Sequence, residues 1–326
     1  MKMDDARILV IGAGVNGSVC AAGLQRAGAN VTVLARGQRY AELAEDGIVI
    51  ENPIKNTRSV TKVPVISGLT PEDRYDYILV IVRKNQVPEL LPVLARNCSP
   101  NIVFMVNNPS GPEVYTAALG RERVMLGFVF AGGKRDGSVI RAIGGPGEAV
   151  GAPPFGELDG SKSPRLKRLV SLFRQAGFKV KTSNCMADYL ATHAAMVAPL
   201  ARQLINNGSD TYALARSRAD LRLCVEAMRE VPAVLRRNGF RVVPAENAIV
   251  FAVVPKFLLV AFMRRFMATR LAEVGAAWHC QQAPDEMQQL GVELMALVQK
   301  SGLPAPALRQ VFADMDGGIR AGRSSR

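Results

Sequence analysis

The 326-residue sequence is poor in several things at once: it holds one tryptophan, two histidines and five cysteines, and only 6% of its residues are aromatic. Cys20, Cys98, Cys185, Cys224 and Cys280 are odd in number, far apart and in no C-x-x-C pair. That excludes a disulfide framework and a cysteine zinc site, and reads as reduced thiols. The two histidines, His193 and His279, have nothing at ligand spacing around them, so no metal site is expected. Long apolar runs are also missing. The most membrane-like stretch, Ala248 to Met263, is broken by Pro255 and Lys256 and reads as a buried helical segment, with no membrane partner. The first apolar run is short and follows Asp4 and Asp5, unlike a secretory leader, and a cytoplasmic location is expected.

Acids are scarce as well, 28 against 41 basic residues, for a net charge of +13. Yet no block of five or six like charges occurs, and apart from the tail cations Arg320, Arg323 and Arg326 the basic residues are scattered without aromatic interleaving. Nucleic acid is therefore not an expected partner. A basic field of this kind suits an anionic cofactor and a small anionic substrate.

What is present is concentrated in the first forty residues. Ile8 to Ile11 reads as a buried parallel strand and runs into Gly12, Gly14 and Gly17, spaced G-x-G-x-x-G, with Ala13, Val15 and Asn16 between them. An apolar-faced helix follows, Gly28 closes it, and Asn30 to Leu34 forms a second strand. Each glycine has a physical task. Gly12 permits the tight turn, Gly14 lets the backbone approach a pyrophosphate, and Gly17 lets helix pack on strand. The phosphates would meet the open N–H groups of the helix N-terminus. At the end of the second strand an NAD-preferring site carries an acid, whereas here Arg36 stands, suited to the 2′-phosphate of NADPH. The alternative is that Arg36 and Arg39 are solvated loop cations.

Further on, helix is expected over Arg39 to Glu45, Val87 to Arg96 and Pro164 to Gln175. Strands are expected over Gly47 to Glu51, Val60 to Ile66, Tyr77 to Val82, Ile102 to Val106, Val124 to Phe130, Ser138 to Ile143, Glu148 to Gly151 and Phe178 to Thr182, with antiparallel pairing closing the sheet. From Met186 the texture turns helical, with a break or kink near Pro199. The fold class is α/β: a doubly wound Rossmann-type domain over residues 1–185, followed by an all-helical domain over 186–326. Ligands of such sheets bind beyond the carboxyl ends of the strands, which singles out Arg83, Lys84, Gln86, Asn107 and Asn108 besides the glycine loop. His193 on an apolar helix face reads more as a hydrogen-bonded core residue than as a catalyst. Asp285 and Glu286, after Pro284, suit a helix first turn.

These pieces in this order resemble the ketopantoate reductase family: Gly12 to Gly17 with Arg36, the Arg83-Lys84-Asn85-Gln86 strand end, Asn107, the Gly127 to Gly137 stretch, and Glu286 with Gly302-Leu303-Pro304. The resemblance implies NADPH as cofactor, reduction of 2-dehydropantoate for pantothenate biosynthesis, and a helical domain that serves the substrate and can pair two copies as a homodimer. It further implies that Arg83 takes the strand-end lysine's place, that Gln86 and Gly133 face the cofactor, and that Asn107 and Glu286 orient cofactor and substrate. The family's catalytic lysine, with asparagines four and eight residues later, falls here on Leu190 or Ala191, with Ala194, Ala195 and Ala198 near the asparagine slots. His193 is then the nearby proton-donor candidate, three residues from Leu190 and close to the same helix face. The alternatives are reduction of a different carbonyl acid, or an NADPH-binding redox sensor without turnover.

Overall fold

The computed structural model describes residues 5–129, 131–148 and 152–313, which fall into two compact units, one of 5–106 with 112–187 and one of 188–313 with 107–111. In the first unit, strand β1 (Arg7–Ile11), helix α1 (Val15–Arg26), strand β2 (Asn30–Leu34), helix α2 (Gly37–Asp46), and strands β3 (Ile48–Asn52), β4 (Thr57–Thr61), β5 (Val65–Ile66) and β6 (Tyr77–Val80) follow in turn. Next come α3 (Val87–Arg96), β7 (Ile102–Phe104), α4 (Glu113–Leu119), β8 (Val124–Gly127), β9 (Gly132–Asp136), β10 (Val139–Ile143), β11 (Pro154–Glu157), α5 (Pro164–Gln175) and β12 (Lys181–Thr182).

Eight strands make one sheet in the order β12-β11-β8-β7-β6-β1-β2-β5. The six from β8 to β5 are parallel, and the order reverses between β1 and β6, as in a doubly wound dinucleotide fold. Ile8, Leu9 and Val10 are fully buried between Val31 on one side and the Tyr77 to Leu79 run on the other, because strands covered on both faces must be apolar throughout. Antiparallel pairing does close the sheet, through Phe155 of β11 opposite Gly127 of β8.

Several expectations are corrected. The Val60 to Ile66 run is two strands in different sheets: β4 joins β3, β10 and β9 in a separate four-stranded sheet, while β5 pairs with β2. Apolar periodicity carries no record of such partners, since β3 pairs in parallel with β10 some ninety residues later. Strand β9 is a strand despite Gly132 and Gly133, because a Cβ on Gly133 would lie 2.2 Å from the Arg141 carbonyl oxygen of β10. Helix α4 and strand β11 had no strong sequence signal. Of Phe178 to Thr182 only Lys181–Thr182 pairs as strand, Phe178 and Val180 going instead into the core. Glu148 is not strand; it accepts from Asn52 Nδ2 and the Gly144 amide. Residues 149–151, Phe130 and the tail with Arg320, Arg323 and Arg326 lie outside the described residues.

The second unit is helical: α6 (Met186–Asn206), of which residues from Asp188 onward belong here, α7 (Thr211–Arg216), α8 (Arg218–Arg237), α9 (Ala245–Val253), α10 (Lys256–Met267), α11 (Arg270–Ala272), a five-residue π-turn Glu273–Ala277, α12 (Trp278–Gln282), α13 (Pro284–Ser301) and α14 (Pro306–Val311). Helix α6 runs through Pro199 without interruption. Leu221, Val225, Val231 and Leu235 of α8 pack with Leu290, Leu294 and Val298 of α13 in its core. The expected burial of Ala248 to Met263 holds for Ala248, Leu259, Val260 and Met263 but not for the whole stretch. The stretch is two helices bent by 117° at Pro255, with Val253 74%, Phe257 69% and Phe262 68% exposed. Among the described residues no single helix is long and apolar enough to cross a membrane.

Candidate functional site

In the first unit the site grows from the β1–α1 turn. Gly12 has φ +110°, and a Cβ there would lie 2.1 Å from the Ile81 carbonyl oxygen past the end of β6. Gly17 would place one 1.7 Å from the Gly12 oxygen. Gly14 differs: it is exposed, and nothing lies within 4 Å of where its Cβ would be. Two glycines therefore close the turn, and the third leaves room above it. Gly14 caps α1 without any side-chain acceptor, and no acid stands in the first turn, so the helix dipole and the leading N–H groups of Val15 and Asn16 carry no anion of the protein's own. Asn16 turns its Oδ1 to the Ala131 amide at 3.1 Å and ties the turn to β9.

Arg36 and Arg39, one helical turn apart, do different things. Arg36 is exposed at the N-cap of α2, and among the described residues no acid pairs with it. Arg39 is no solvated cation. It is 8% exposed, and its Nε donates to Ala13 O at 3.1 Å, Nη1 to Ser138 O at 2.9 Å and Glu42 Oε2 at 3.0 Å, and Nη2 to Ser18 Oγ at 3.3 Å. Burial lowers its pKa against the pull of Glu42. Its carbonyl partner at Ala13 belongs to the glycine turn itself.

Past β6, Gln86 Oε1 accepts from the Arg83 amide at 3.1 Å, so this glutamine closes its own turn. Lys84 Nζ sits 5.4 Å above the Tyr115 ring and 3.4 Å from its hydroxyl. Gly133 is buried in β9, and the neighbouring strand alone explains the glycine there.

In the second unit the structure brings Asn107, Glu286 and His279 together. Asn107 Nδ2 donates to Glu286 Oε1 at 3.2 Å, and Glu286 Oε2 lies 3.4 Å from His279 Nε2. A carboxylate only accepts, so the Asn107 amide nitrogen must face it and Oδ1 must face away. That Oδ1 is buried and has no hydrogen-bond partner among the described residues. A buried amide oxygen without a donor costs on the order of 1–3 kcal/mol, which makes it an acceptor waiting for a ligand's N–H or O–H. Asn108 has turned to local work, donating to Gly111 O at 2.7 Å. Glu286, 3% exposed in the first turn of α13, does more than complement that helix's dipole.

His193 is placed otherwise than expected. It stacks on Tyr189 with ring centroids 6.4 Å apart, and burial, with a smaller push from His279, lowers its pKa to about 4. A ring pushed toward its neutral form is a poor source of a proton at neutral pH. The folded state resists a proton that the unfolded chain accepts at about pH 6.5, so stability should fall between about pH 6.5 and pH 4, by on the order of 3 kcal/mol. Replacing His193 by Gln should flatten that part of a pH–stability curve measured by urea unfolding. An unchanged slope would show that the ring does not resist protonation.

Residues 8–152 match the family model described as ketopantoate reductase PanE/ApbA. The resemblance to ketopantoate reductases holds over that part of the chain. Its fold extends to the rest: a 2-dehydropantoate 2-reductase structure from Geobacter metallireducens GS-15 is 17% identical over 96% of this chain and 99% of its own, at a TM-score of 0.77. A 2-dehydropantoate 2-reductase structure from Methylococcus capsulatus is 21% identical over 98% of each chain, at 0.68. D-mandelate dehydrogenase in a ternary structure with NADH and anilino(oxo)acetate is 14% identical over 94% of this chain and 95% of its own, at 0.75. No curated protein sequence matches. The matched family is one of oxidoreductases, and the neighbours show that its fold accommodates more than one substrate.

Where the ketopantoate reductase resemblance expects a lysine and two asparagines, Leu190 and Ala191 are buried, as are Ala194, Ala195 and Ala198. That face of α6 is core. Two residues that matter escaped the sequence reading, His279 and Arg39. The His279–Glu286 spacing of seven, two turns of helix, was the available signal, masked by the break at Ala283 and Pro284.

Proposed function

We propose that this protein is a reductase that binds NADPH in preference to NADH and transfers hydride to the carbonyl of a small anionic 2-keto acid, with 2-dehydropantoate as the first substrate to try. The observation that carries the reading is the β1–α1 turn: two glycines fixed by backbone contact, a third with open space above it, and exposed Arg36 where an NAD-preferring site has an acid. Gly12 to Gly17, with the amides of Val15 and Asn16, would hold the pyrophosphate, and Arg36 the 2′-phosphate. The nicotinamide supplies the hydride when bound. Asn107 Oδ1 accepts a hydrogen bond from the cofactor or substrate, and Glu286 fixes the amide that presents it.

NADPH should bind at least about tenfold more tightly than NADH, since one well-placed charge-assisted bond contributes roughly 1.5–3 kcal/mol. Arg36→Ala should remove most of the difference in a fluorescence titration. Equal affinities in the unmodified protein would sink the NADPH assignment, and binding of neither cofactor would sink the function. The buried apolar face of α6 favours a second reading, an NADPH binder without turnover, because a ketone reductase must supply a proton.

A further inference from the structure

Reduction of a ketone ends in an alkoxide unless a proton arrives with the hydride, so the proposed reaction needs an acid near Asn107. Glu286 is a carboxylate already accepting from that amide, and His193, near His279 rather than the amide, is held toward its neutral form by burial. The ring left is His279, 37% exposed on α12 and 3.4 Å from the other oxygen of the same carboxylate. One carboxylate thus holds both the amide with the orphan acceptor and an imidazole.

We propose that His279 is the proton donor of this reductase and that Glu286 is its positioning residue. This rests on the reductase reading above. The ring turns Nε2 to Glu286, so in the neutral imidazole the hydrogen belongs on Nε2 and the lone pair on Nδ1. The exchangeable proton of the charged ring is therefore the one on Nδ1. As hydride reaches the carbonyl carbon, the π-bond electrons move to oxygen, which takes the Nδ1 proton. The keto acid becomes a hydroxy acid, the reduced nicotinamide is oxidised, and the imidazolium becomes the Nε2–H imidazole that water reprotonates. Glu286 on α13 faces Nε2 of the ring, and His193 on α6 lies near enough that His279 pushes it toward its neutral form. Arg270 stacks over the adjacent Trp278 and pairs with Glu273 at 2.5 Å, which engages both.

The chain contains only two histidines, which makes the test direct. In 15N-histidine NMR of the unmodified protein above the titration of the ring, His279 should show the Nε2–H tautomer, and Glu286→Gln should mix the tautomers. His279→Gln should bind NADPH within about twofold of the unmodified protein, yet reduce the keto acid about a hundredfold more slowly, within the range for loss of a general acid. Whatever pH dependence the unmodified rate shows should be lost in the variant. A His279→Gln enzyme with the unmodified rate and pH profile, or an Nδ1–H ring in the unmodified protein, overturns the assignment alone. Unmodified protein that binds NADPH but reduces no member of a 2-keto acid panel overturns the donor and the reductase reading together.

Discussion

Gly17→Ala should lower the melting temperature by roughly 6–12 °C, and Gly14→Ala should leave it unchanged while weakening dinucleotide binding ten- to a hundredfold. The contrast follows from what each new methyl meets. At Gly17 it would lie 1.7 Å from the Gly12 oxygen and 2.9 Å from the Gly12 carbonyl carbon, both backbone atoms that no rotamer change can move aside. The helix must shift off the strand, at about 3 kcal/mol, the upper part of the range for overpacking. For a chain with a unit near 180 residues that is about 2–4 °C per kcal/mol. At Gly14 the backbone has φ −77°, open to any residue, and the methyl enters empty space. Folding gives it nothing to oppose, but a pyrophosphate laid across the turn would meet it, and each tenfold of affinity corresponds to about 1.4 kcal/mol. Thermal melts with and without NADPH separate the effects. A Gly14→Ala protein with full affinity would mean that the space above the turn is not where the phosphates lie.

The parts of this protein that the sequence made legible are those whose determinants are local. The strand–turn–helix of residues 7–34 carries its own punctuation, and α3 and α5 are bounded by proline near their starts and by a change of polarity at their ends. The separate sheet of β3, β4, β9 and β10 was not legible, because pairing β3 with β10 brings together segments that share no local pattern. The apolar run from Ala248 to Met263 misled for a related reason. Hydrophobicity says that a surface prefers cover, and here Phe257 and Phe262 face outward instead. At the candidate site Asn107 and Glu286 were found separately, through a strand end and a helix start. Their mutual hydrogen bond, at a sequence separation of 179, belongs to the fold alone. His279 was visible as a residue and invisible as a neighbour.

Arg39→Ala should destabilise the protein by about 3–5 kcal/mol, the range for removing one partner from a buried charged network, and should weaken NADPH binding although Arg39 itself faces no open space. The guanidinium satisfies four acceptors from four segments: Ala13 O in the glycine turn, Ser18 Oγ in α1, Ser138 O before β10, and Glu42 in its own helix. Without it Glu42, at 12% side-chain exposure, keeps Arg135 at 3.7 Å as a counter-charge, and the Ala13 carbonyl keeps the Ser18 hydroxyl at 3.2 Å as a donor, among the described residues. The carbonyl of Ala13 then has reason to rotate, and with it the Gly14 peptide that a pyrophosphate would meet. Arg39→Lys should recover only part of the loss, because a single ammonium cannot span acceptors that a planar fork reaches in three directions. The order of stability expected in urea unfolding is therefore unmodified, then Lys, then Ala, with NADPH affinity falling in the same order. An Ala variant that melts within about 2 °C of the unmodified protein, less than 1 kcal/mol on the usual scaling, would show that the network is replaceable by water. One that is strongly destabilised, yet binds NADPH at full strength once saturated, would show that the glycine turn holds its shape without its arginine.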